Sequence, residues 1–194
     1  MSLVRILSHP VLGVILSKID EDLAEQVRQA NCPHCDGALH VSRYPRKPRG
    51  PADLVAGWQW RASFCCAHDG CRRRATPPSV RFLGRRVYAG VIVVLLSALC
   101  HGVSARHVRR LREEIGVDRR TLCRWRAWWT EVFPVTSFYR IARARFVPPP
   151  DVAALPLSLA RRFGEFEPEP LARLLRFLSP LTTRLPDRAS RKPG

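Results

Sequence analysis

The sequence predicts a mainly α-helical fold with a small β region and a core of three helices. Apolar residues recur at spacings of three and four in the first 30 residues and again from about residue 86, as on the buried face of a helix. Between them, residues 31–83 are rich in Pro, Gly, Cys, Trp and Arg and show no helical periodicity. At 194 residues the chain can form one domain or two small ones.

Residues 1–30 are predicted to form an N-terminal helical segment that is broken or kinked near Pro10. Acidic residues lie between the apolar positions of this segment. The pattern is typical of a helix that packs on the rest of the protein or on a second copy of the chain.

Residues 31–83 contain two pairs of closely spaced cysteines. Cys32 and Cys35 form a C-x2-C pair, and Cys66 and Cys71 form a looser pair in which Cys65 is an alternative to Cys66. Four thiolates in a tetrahedral array are the ligands that structural Zn²⁺ prefers, so we expect a small β zinc ribbon. A histidine could replace one cysteine, and the candidates are His34, His40 and His68.

The predicted metal is structural. A catalytic zinc site usually has a neighbouring Glu or His that transfers protons, and no Glu occurs between Glu25 and Glu113. In the same region, residues 58–64 alternate as a strand does, and residues 44–51 are interpreted as an exposed basic loop between strands. No aromatic stacking platform for RNA is evident on a sheet. We expect no enzymatic activity.

Residues 84–147 are predicted to contain a helix-turn-helix. A first helix covers about residues 86–100. A second begins at Ser104 and ends at Gly116, and a third begins with Asp118 as its N-cap and is stopped or bent by Pro134. Two short amphipathic helices joined by a glycine-containing turn are typical of this motif, whose second helix enters the major groove of DNA.

The third helix has an apolar face and a basic face. At 100° per residue its apolar stripe contains Leu122, Trp125, Trp129 and Phe133. Arg120 and Arg124 lie opposite, where they could reach guanine edges. Other arginines are predicted to contact phosphates, either from the preceding helix or from a basic arm that runs from residue 72 through Arg81 to residue 86. The full predicted DNA-binding set is Arg72, Arg73, Arg74, Arg85, Arg86, Arg106, Arg109, Arg110, Arg119, Arg120 and Arg124.

The charge of the chain is concentrated in its centre. The net charge is +17, and residues 41–150 carry 22 basic and 6 acidic side chains. This concentration indicates a polyanionic ligand. The most apolar run, residues 87–100, is shorter than the roughly 20 residues that span a bilayer, and no signal peptide is convincing. We therefore expect a cytoplasmic, nucleoid-associated protein with reduced cysteines and no membrane partner.

Residues 148–181 are predicted to form a C-terminal helical segment after a stiff Pro-rich linker. Its helices are expected around residues 153–163 and 170–178. Residues 182–194 are polar and basic, and we expect a disordered tail there.

The order of these motifs resembles the amino-terminal half of bacterial insertion-sequence transposases and the short regulatory proteins that consist of that half alone. The matching features lie in residues 31–133: the four cysteines, the Cys-Arg-Arg-Arg segment that begins at Cys71, and the helix pair GVSARHV…GVDRRTLCRW. Such transposases hold Mg²⁺ with three carboxylates on a ribonuclease-H-like domain. After Glu131 this chain has five carboxylates, three of them crowded into residues 165–169, so the resemblance implies no catalytic domain.

We therefore expect a zinc-containing, sequence-specific duplex-DNA-binding protein. The resemblance implies a non-catalytic regulator or targeting subunit of a mobile element. Its expected partners are duplex DNA, a separate transposase or recombinase subunit, and further copies of itself. The alternative is a zinc-ribbon assembly or adaptor protein that binds a partner protein, with DNA contact secondary.

Overall fold

The computed structural model describes residues 3–82, 89–99, 109 and 116–183 of the chain. Its fold combines helices with two small antiparallel sheets, so the predicted mixture of mainly helical structure and a small β region is confirmed in outline. The first helices are α1 (Leu3–Leu7), α2 (Pro10–Gln29), α3 (Ala52–Val55) and α4 (Gly90–Leu99). The strands are β1 (Leu39–Val41), β2 (Tyr44–Pro45), β3 (Trp60–Arg61), β4 (Phe64–Cys66) and β5 (Arg74–Ala75). The later helices are α5 (Arg119–Ala127), α6 (Ser137–Ala142), α7 (Leu157–Ala160) and α8 (Pro168–Leu178).

The predicted break near Pro10 is confirmed. Helix α1 ends at Leu7, and α2 starts with Pro10 at its first position, where the absent N–H costs no hydrogen bond. The side chain of His9 accepts a hydrogen bond from the N–H of Val11 at 3.3 Å and caps the helix.

The two sheets have strand orders β1-β4-β5 and β2-β3. Two predictions for this region are wrong in their bounds. Trp58, predicted to start a strand, is buried in a turn, and the strand pairing begins at Trp60. The predicted loop at residues 44–51 begins with a strand, because Tyr44 pairs with Arg61 and Pro45 with Trp60.

Helix α4 is the apolar centre of the molecule. Residues 90–98 are all buried, and α1, α5, α7 and α8 pack against this helix. A helix that is apolar on every side needs such surroundings. Within the described ranges, no helix is both long and apolar enough to cross a membrane.

The sequence predicted that Pro134 stops or bends the third helix. Helix α5 continues into a π-helical turn (Trp128–Val132) and then a 3-10 turn (Phe133–Val135) that contains Pro134, and the helical run ends there. The predicted apolar stripe is buried, and its rings pack closely: the Trp129 and Phe133 ring centroids are 4.9 Å apart, and those of Phe133 and Tyr139 are 4.7 Å apart. Aromatic pairs at such distances add to the free energy of burial.

The predicted helix at residues 104–116 lies outside the described residues, apart from Arg109 and Gly116. Gly116 has φ +68°, the left-handed conformation expected of a glycine that ends a helix. The three-helix helix-turn-helix core stays a prediction.

The C-terminal segment is helical, as expected, with shifted bounds. The helix expected at 153–163 is a 3-10 turn (Val152–Ala154) followed by α7, and α8 packs against α2. The start of the tail at residue 182 was predicted too early. Thr182 ends the last 3-10 turn (Ser179–Thr182), and its Oγ1 accepts a hydrogen bond from the N–H of Ser79 at 2.9 Å. Residues 184–194 lie outside the described residues.

A buried carboxylate ties α2 to the segment that leads toward α4. Oδ1 of Asp20 accepts a hydrogen bond from the N–H of Val80 at 2.6 Å, and Oδ2 accepts hydrogen bonds from Ser79 Oγ and Arg81 Nε, each at 2.7 Å. Arg81 was predicted to belong to the basic arm. It is instead paired within the protein, with only 12% of its side chain exposed.

The buried residues form two clusters of very different size. The large one, here called the helical body, joins side chains of α1, α2, α4, α5, α7 and α8. The small one, here called the cysteine module (residues 31–41 and 64–75), buries Cys32, Leu39, Phe64, Cys66 and Ala75. Helix α2 reaches both, since Ala24 and Val27 at its C-terminal end pack on the cysteine module.

Candidate metal centre and basic helix face

The first cysteine pair lies in a tight turn just after α2. Asn31 and Asp36 both have φ +59°, a left-handed conformation that Asn and Asp tolerate better than most residues. The N–H of Cys32 donates to the carbonyl of Gly37, and the N–H of Asp36 donates to the carbonyl of Cys32, each at 2.9 Å. These bonds bring the Cys32 and Cys35 side chains to one side of the turn.

The second pair is set by β4 and the turn that follows it. Cys66 ends β4, and its N–H donates to the carbonyl of Arg73 at 2.9 Å. The N–H groups of Cys71 and Arg72 both donate to the carbonyl of His68, at 2.9 and 3.1 Å. The turn therefore brings the side chain of Cys71 close to that of Cys66.

The two turns bring four sulfur atoms together. Cys32 Sγ lies 3.7 Å from Cys71 Sγ, Cys35 Sγ lies 3.4 Å from Cys66 Sγ, and all four lie within 4.8 Å of one another. A tetrahedral ion with metal–sulfur bonds of about 2.3 Å has sulfurs about 3.8 Å apart. A disulfide needs about 2.05 Å, so these cysteines are unbridged. The four cysteines could hold a metal ion.

The structure distinguishes between the alternatives left by the sequence. Cys65 Sγ lies 3.5 Å from the carbonyl oxygen of Arg72, outside the sulfur cluster. His34 Nδ1 lies 3.1 Å from a guanidinium nitrogen of Arg73. Among the described residues, the cluster consists of the predicted Cys32, Cys35, Cys66 and Cys71, with no histidine in it.

Gly37 is a residue of this site that sequence reasoning missed. A Cβ at this position would lie 3.2 Å from Cys66 Sγ, 3.2 Å from His68 Cβ and 3.4 Å from Cys35 Sγ. A side chain here would force the sulfurs or His68 to move by a few tenths of an ångström, so glycine suits this close approach. The sequence signal was a glycine two residues after the first cysteine pair.

The crowding of the thiols changes their acidity. Burial acts to raise the pKa of Cys32, but hydrogen bonds from the backbone N–H groups of His34 and Cys35, and from neighbouring thiols, lower it to about 7. The N–H of Gly37 acts to lower the pKa of Cys35, but the Cys66 thiol and burial raise it to about 12. Burial also raises the pKa of Cys66. Without a cation, a negative charge is therefore favoured on Cys32 and disfavoured on Cys35 and Cys66.

Helix α5 has the cap and the two faces that the sequence predicts. The Asp118 carboxylate accepts hydrogen bonds from the N–H of Thr121 at 2.7 Å and from Thr121 Oγ1 at 2.8 Å. These bonds lower the pKa of Asp118. Leu122 and Trp125 are buried, and the opposite side exposes Arg119, Arg120 and Arg124.

The three exposed arginines of α5 are only weakly engaged by the described part of the protein: the charge of Arg124 helps to lower the pKa of Asp118. Arg124 donates a hydrogen bond to Thr121 Oγ1 at 3.0 Å, and none of the three forms an ion pair with a carboxylate in the described ranges. Their charges face solvent.

The remaining predicted arginines differ in their surroundings. Arg72 is exposed and ion-paired with Asp69, Arg73 contacts His34, and Arg74 is exposed on β5. An exposed ion pair such as Arg72–Asp69 contributes little to the free energy of folding. Asp69 would therefore compete only weakly with a phosphate for Arg72. Arg109 is exposed. Four predicted positions lie outside the described residues: Arg85, Arg86, Arg106 and Arg110.

Comparisons of the chain with family models, with curated proteins and with solved structures give no match. The resemblance to transposase amino-terminal regions therefore stays a prediction.

Proposed function

We propose that the chain is a zinc-containing protein that binds duplex DNA through the exposed basic face of α5. The observation that supports this most directly is the arrangement of that helix. Trp125 of α5 and Trp129 of the turn that follows are buried. Arg119, Arg120 and Arg124 are exposed and form no ion pair within the described ranges. Arginines in this position could contact guanine edges and phosphates when the helix enters a major groove.

The proposal assigns Zn²⁺ to the four-cysteine cluster in a structural role. Four thiolates complete a tetrahedral shell and leave no open position for a substrate or a reactive water. Sulfur-only tetrahedral sites also suit iron, so metal analysis of purified protein is the test. We expect one zinc per chain. Iron at that stoichiometry would refute the assignment of zinc.

Within this proposal, Arg120 and Arg124 read bases, and Arg72–Arg74 and Arg109 contact phosphates. The protein would act without catalysis, as a regulator or targeting subunit of a mobile element together with a separate recombinase, and would associate with the nucleoid. Selection of bound sequences from random duplexes would supply the cognate site.

The decisive experiment compares Arg120→Ala and Arg124→Ala with a control at the selected site. Each substitution should weaken binding by roughly 10- to 100-fold and relax the sequence preference at one position. Arg161→Ala removes an exposed arginine from the C-terminal segment, and it should change the affinity much less. An unchanged sequence preference in the Arg120→Ala/Arg124→Ala double variant would refute base reading by α5.

One observation favours the second candidate, an assembly or adaptor protein. Val132, Val135 and Ile141 are all exposed just after the basic helix, and Ile141 is 75% exposed. Exposed apolar side chains can mark a protein interface where they form a patch. A salt titration distinguishes the two functions, because DNA affinity through several phosphates falls steeply with salt and an apolar interface does not.

A further inference from the structure

The strand pairs β1–β4 and β2–β3 belong to different sheets but share one antiparallel register, and together they form a ribbon. Leu39 lies opposite Cys66 at one end, and Pro45 lies opposite Trp60 at the other. The same number of residues separates these two pairs on each side of the ribbon. The register is therefore kept across residues 42–43 and 62–63, which belong to no strand. A hydrogen bond from the N–H of Ser42 to the carbonyl of Ser63, at 2.8 Å, joins these two segments.

The buried side of the ribbon changes along its length. At the cysteine end, Phe64 and Cys66 are buried on one side, whereas at the other end Arg61 and Ser63 are buried on the opposite side. Because side chains alternate along a strand, Pro45 and Trp60 at that end lie on the side away from the core. Trp60 is 49% exposed.

Val41 and Arg43 are exposed at alternate positions on the same side as Pro45. We call the surface of Val41, Arg43, Pro45 and Trp60 the ribbon face. Among the described residues, the Trp60 ring makes no ring–ring or cation–π contact, although the Trp60 carbonyl accepts a hydrogen bond from Arg81 at 3.3 Å.

The surroundings of the ribbon face are strongly basic. Residues 41–63 carry five basic side chains and one acidic one, Asp53. Arg43 and Lys47 are exposed beside the strand that bears Pro45. A half-exposed indole among cations suits a ligand that is both aromatic and anionic.

We propose that the ribbon face binds single-stranded nucleic acid by stacking an unpaired base on Trp60 while Arg43 and Lys47 contact the flanking phosphates. A single strand meets both requirements, since every base offers an aromatic face and every linkage a negative charge. A duplex does not, because the faces of its bases are covered by their neighbours. The site uses none of the residues proposed to bind duplex DNA.

The test measures binding of the full, metal-loaded chain to three fluorescent probes: a 12-residue oligothymidine, an abasic strand of equal length and a 12-base-pair duplex. Trp60→Ala should weaken oligothymidine binding about 10-fold, because one stacked base is lost. Trp60→Phe should retain most of the affinity. Neither change should alter binding to the abasic strand or the duplex. Val14→Ala, an exposed apolar substitution on α2, is the control and should leave all three unchanged.

Two further measurements separate stacking from a general effect on folding. Oligothymidine should quench part of the tryptophan emission of the wild type, and that part should vanish in Trp60→Phe although the affinity is kept. Arg43→Ala/Lys47→Ala should reduce the slope of log affinity against log salt by roughly 1.4, about 0.7 per phosphate contact on a single strand. An oligoribonucleotide of the same length shows whether RNA or DNA is preferred.

Equal oligothymidine affinity for wild type and Trp60→Ala would overturn the proposal, as would an equal loss on the abasic strand. Binding of a protein or peptide at this face with no affinity for single strands would also overturn it. These results leave the α5 proposal intact, because that proposal is tested by duplex binding and by substitutions at Arg120 and Arg124.

Discussion

The helical body and the cysteine module are held together by different means. The body surrounds an apolar helix with side chains of several other helices, and large rings such as Trp129 and Phe133 are completely buried in it. In the module, the buried apolar side chains other than cysteine are Leu39, Phe64 and Ala75. So small a core cannot offset the conformational entropy lost when some 20 residues are ordered.

This difference shows where a metal is needed. A bound ion would join the two cysteine turns and replace the missing apolar core, whereas the body has enough buried surface to fold without one. Helix α2 belongs to both regions, so its C-terminal end should respond to metal loss while its N-terminal half should not.

The largest expected effect is loss of the metal cluster. Cys66→Ser should abolish metal binding and unfold the module, because structural zinc supplies apparent free energies of about 10–16 kcal/mol in small zinc modules. The body should remain folded. Metal content, far-ultraviolet circular dichroism and amide exchange resolved by residue provide the measurement.

Cys65→Ser is the matched control for Cys66→Ser. Its sulfur lies outside the cluster, next to the carbonyl of Arg72, so the metal content and the module should be unchanged. Equal loss of exchange protection in α4 and in the module after Cys66→Ser would contradict the division into two independently stabilised regions.

The second effect is in the body. Phe133→Ala removes a completely buried ring and should lower the free energy of unfolding by about 3–5 kcal/mol. Metal affinity should be unchanged. Urea denaturation gives the first quantity and chelator competition the second. Val135→Ala, where the side chain is 69% exposed, should change the free energy of unfolding by less than about 0.5 kcal/mol.

A third test addresses a buried charge within the helical body. Asp20→Asn removes the charge that accepts hydrogen bonds from Ser79, Val80 and Arg81, and should lower the free energy of unfolding by about 2–3 kcal/mol. Asp22→Asn changes an exposed carboxylate that pairs with Lys18 at 3.4 Å, and should have little effect. Equal effects of the two substitutions in urea denaturation would show that burial of Asp20 contributes nothing.

Local patterns predicted the features that depend on neighbours in sequence. The two cysteine pairs, the Asp118 cap and the apolar stripe of α5 each follow from spacing within a few residues, and the structure contains all of them. The choice of Cys66 over Cys65 needed the structure, because it depends on which side of β4 faces the other turn.

Features that depend on distant pairing were missed. Asp20 looks like the other acidic residues of α2, and only its contact with residues 79–81 shows that it is buried. Nothing in its local sequence marks Arg61 as buried. It donates hydrogen bonds to the carbonyls of Pro77 and Thr182, and burial lowers its pKa. The position of the exposed Trp60 indole opposite Pro45 depends on the pairing of β2 with β3, which the local sequence did not predict.

The smallest expected effect concerns the start of α5 and is visible mainly as a pH dependence. Hydrogen bonds from Thr121 hold the pKa of Asp118 below its ordinary value of about 4. Its charge therefore stabilises the fold above that ordinary value, and the contribution is lost as pH falls through the lowered one. Asn also caps helices but carries no charge, so Asp118→Asn should be slightly less stable than wild type at pH 7 and equal to it in strong acid.

Asp118→Ala separates the charge from the cap. It removes both, so its deficit should persist at low pH, where Asp118→Asn has recovered. Thermal denaturation from pH 2 to pH 7 measures both variants. Because Asp118 lies in the body, neither variant should alter the metal affinity of the cysteine module at pH 7. A change in that affinity would show that the basic helix and the cysteine cluster are energetically coupled, and the two regions would then have to be treated as one cooperative unit.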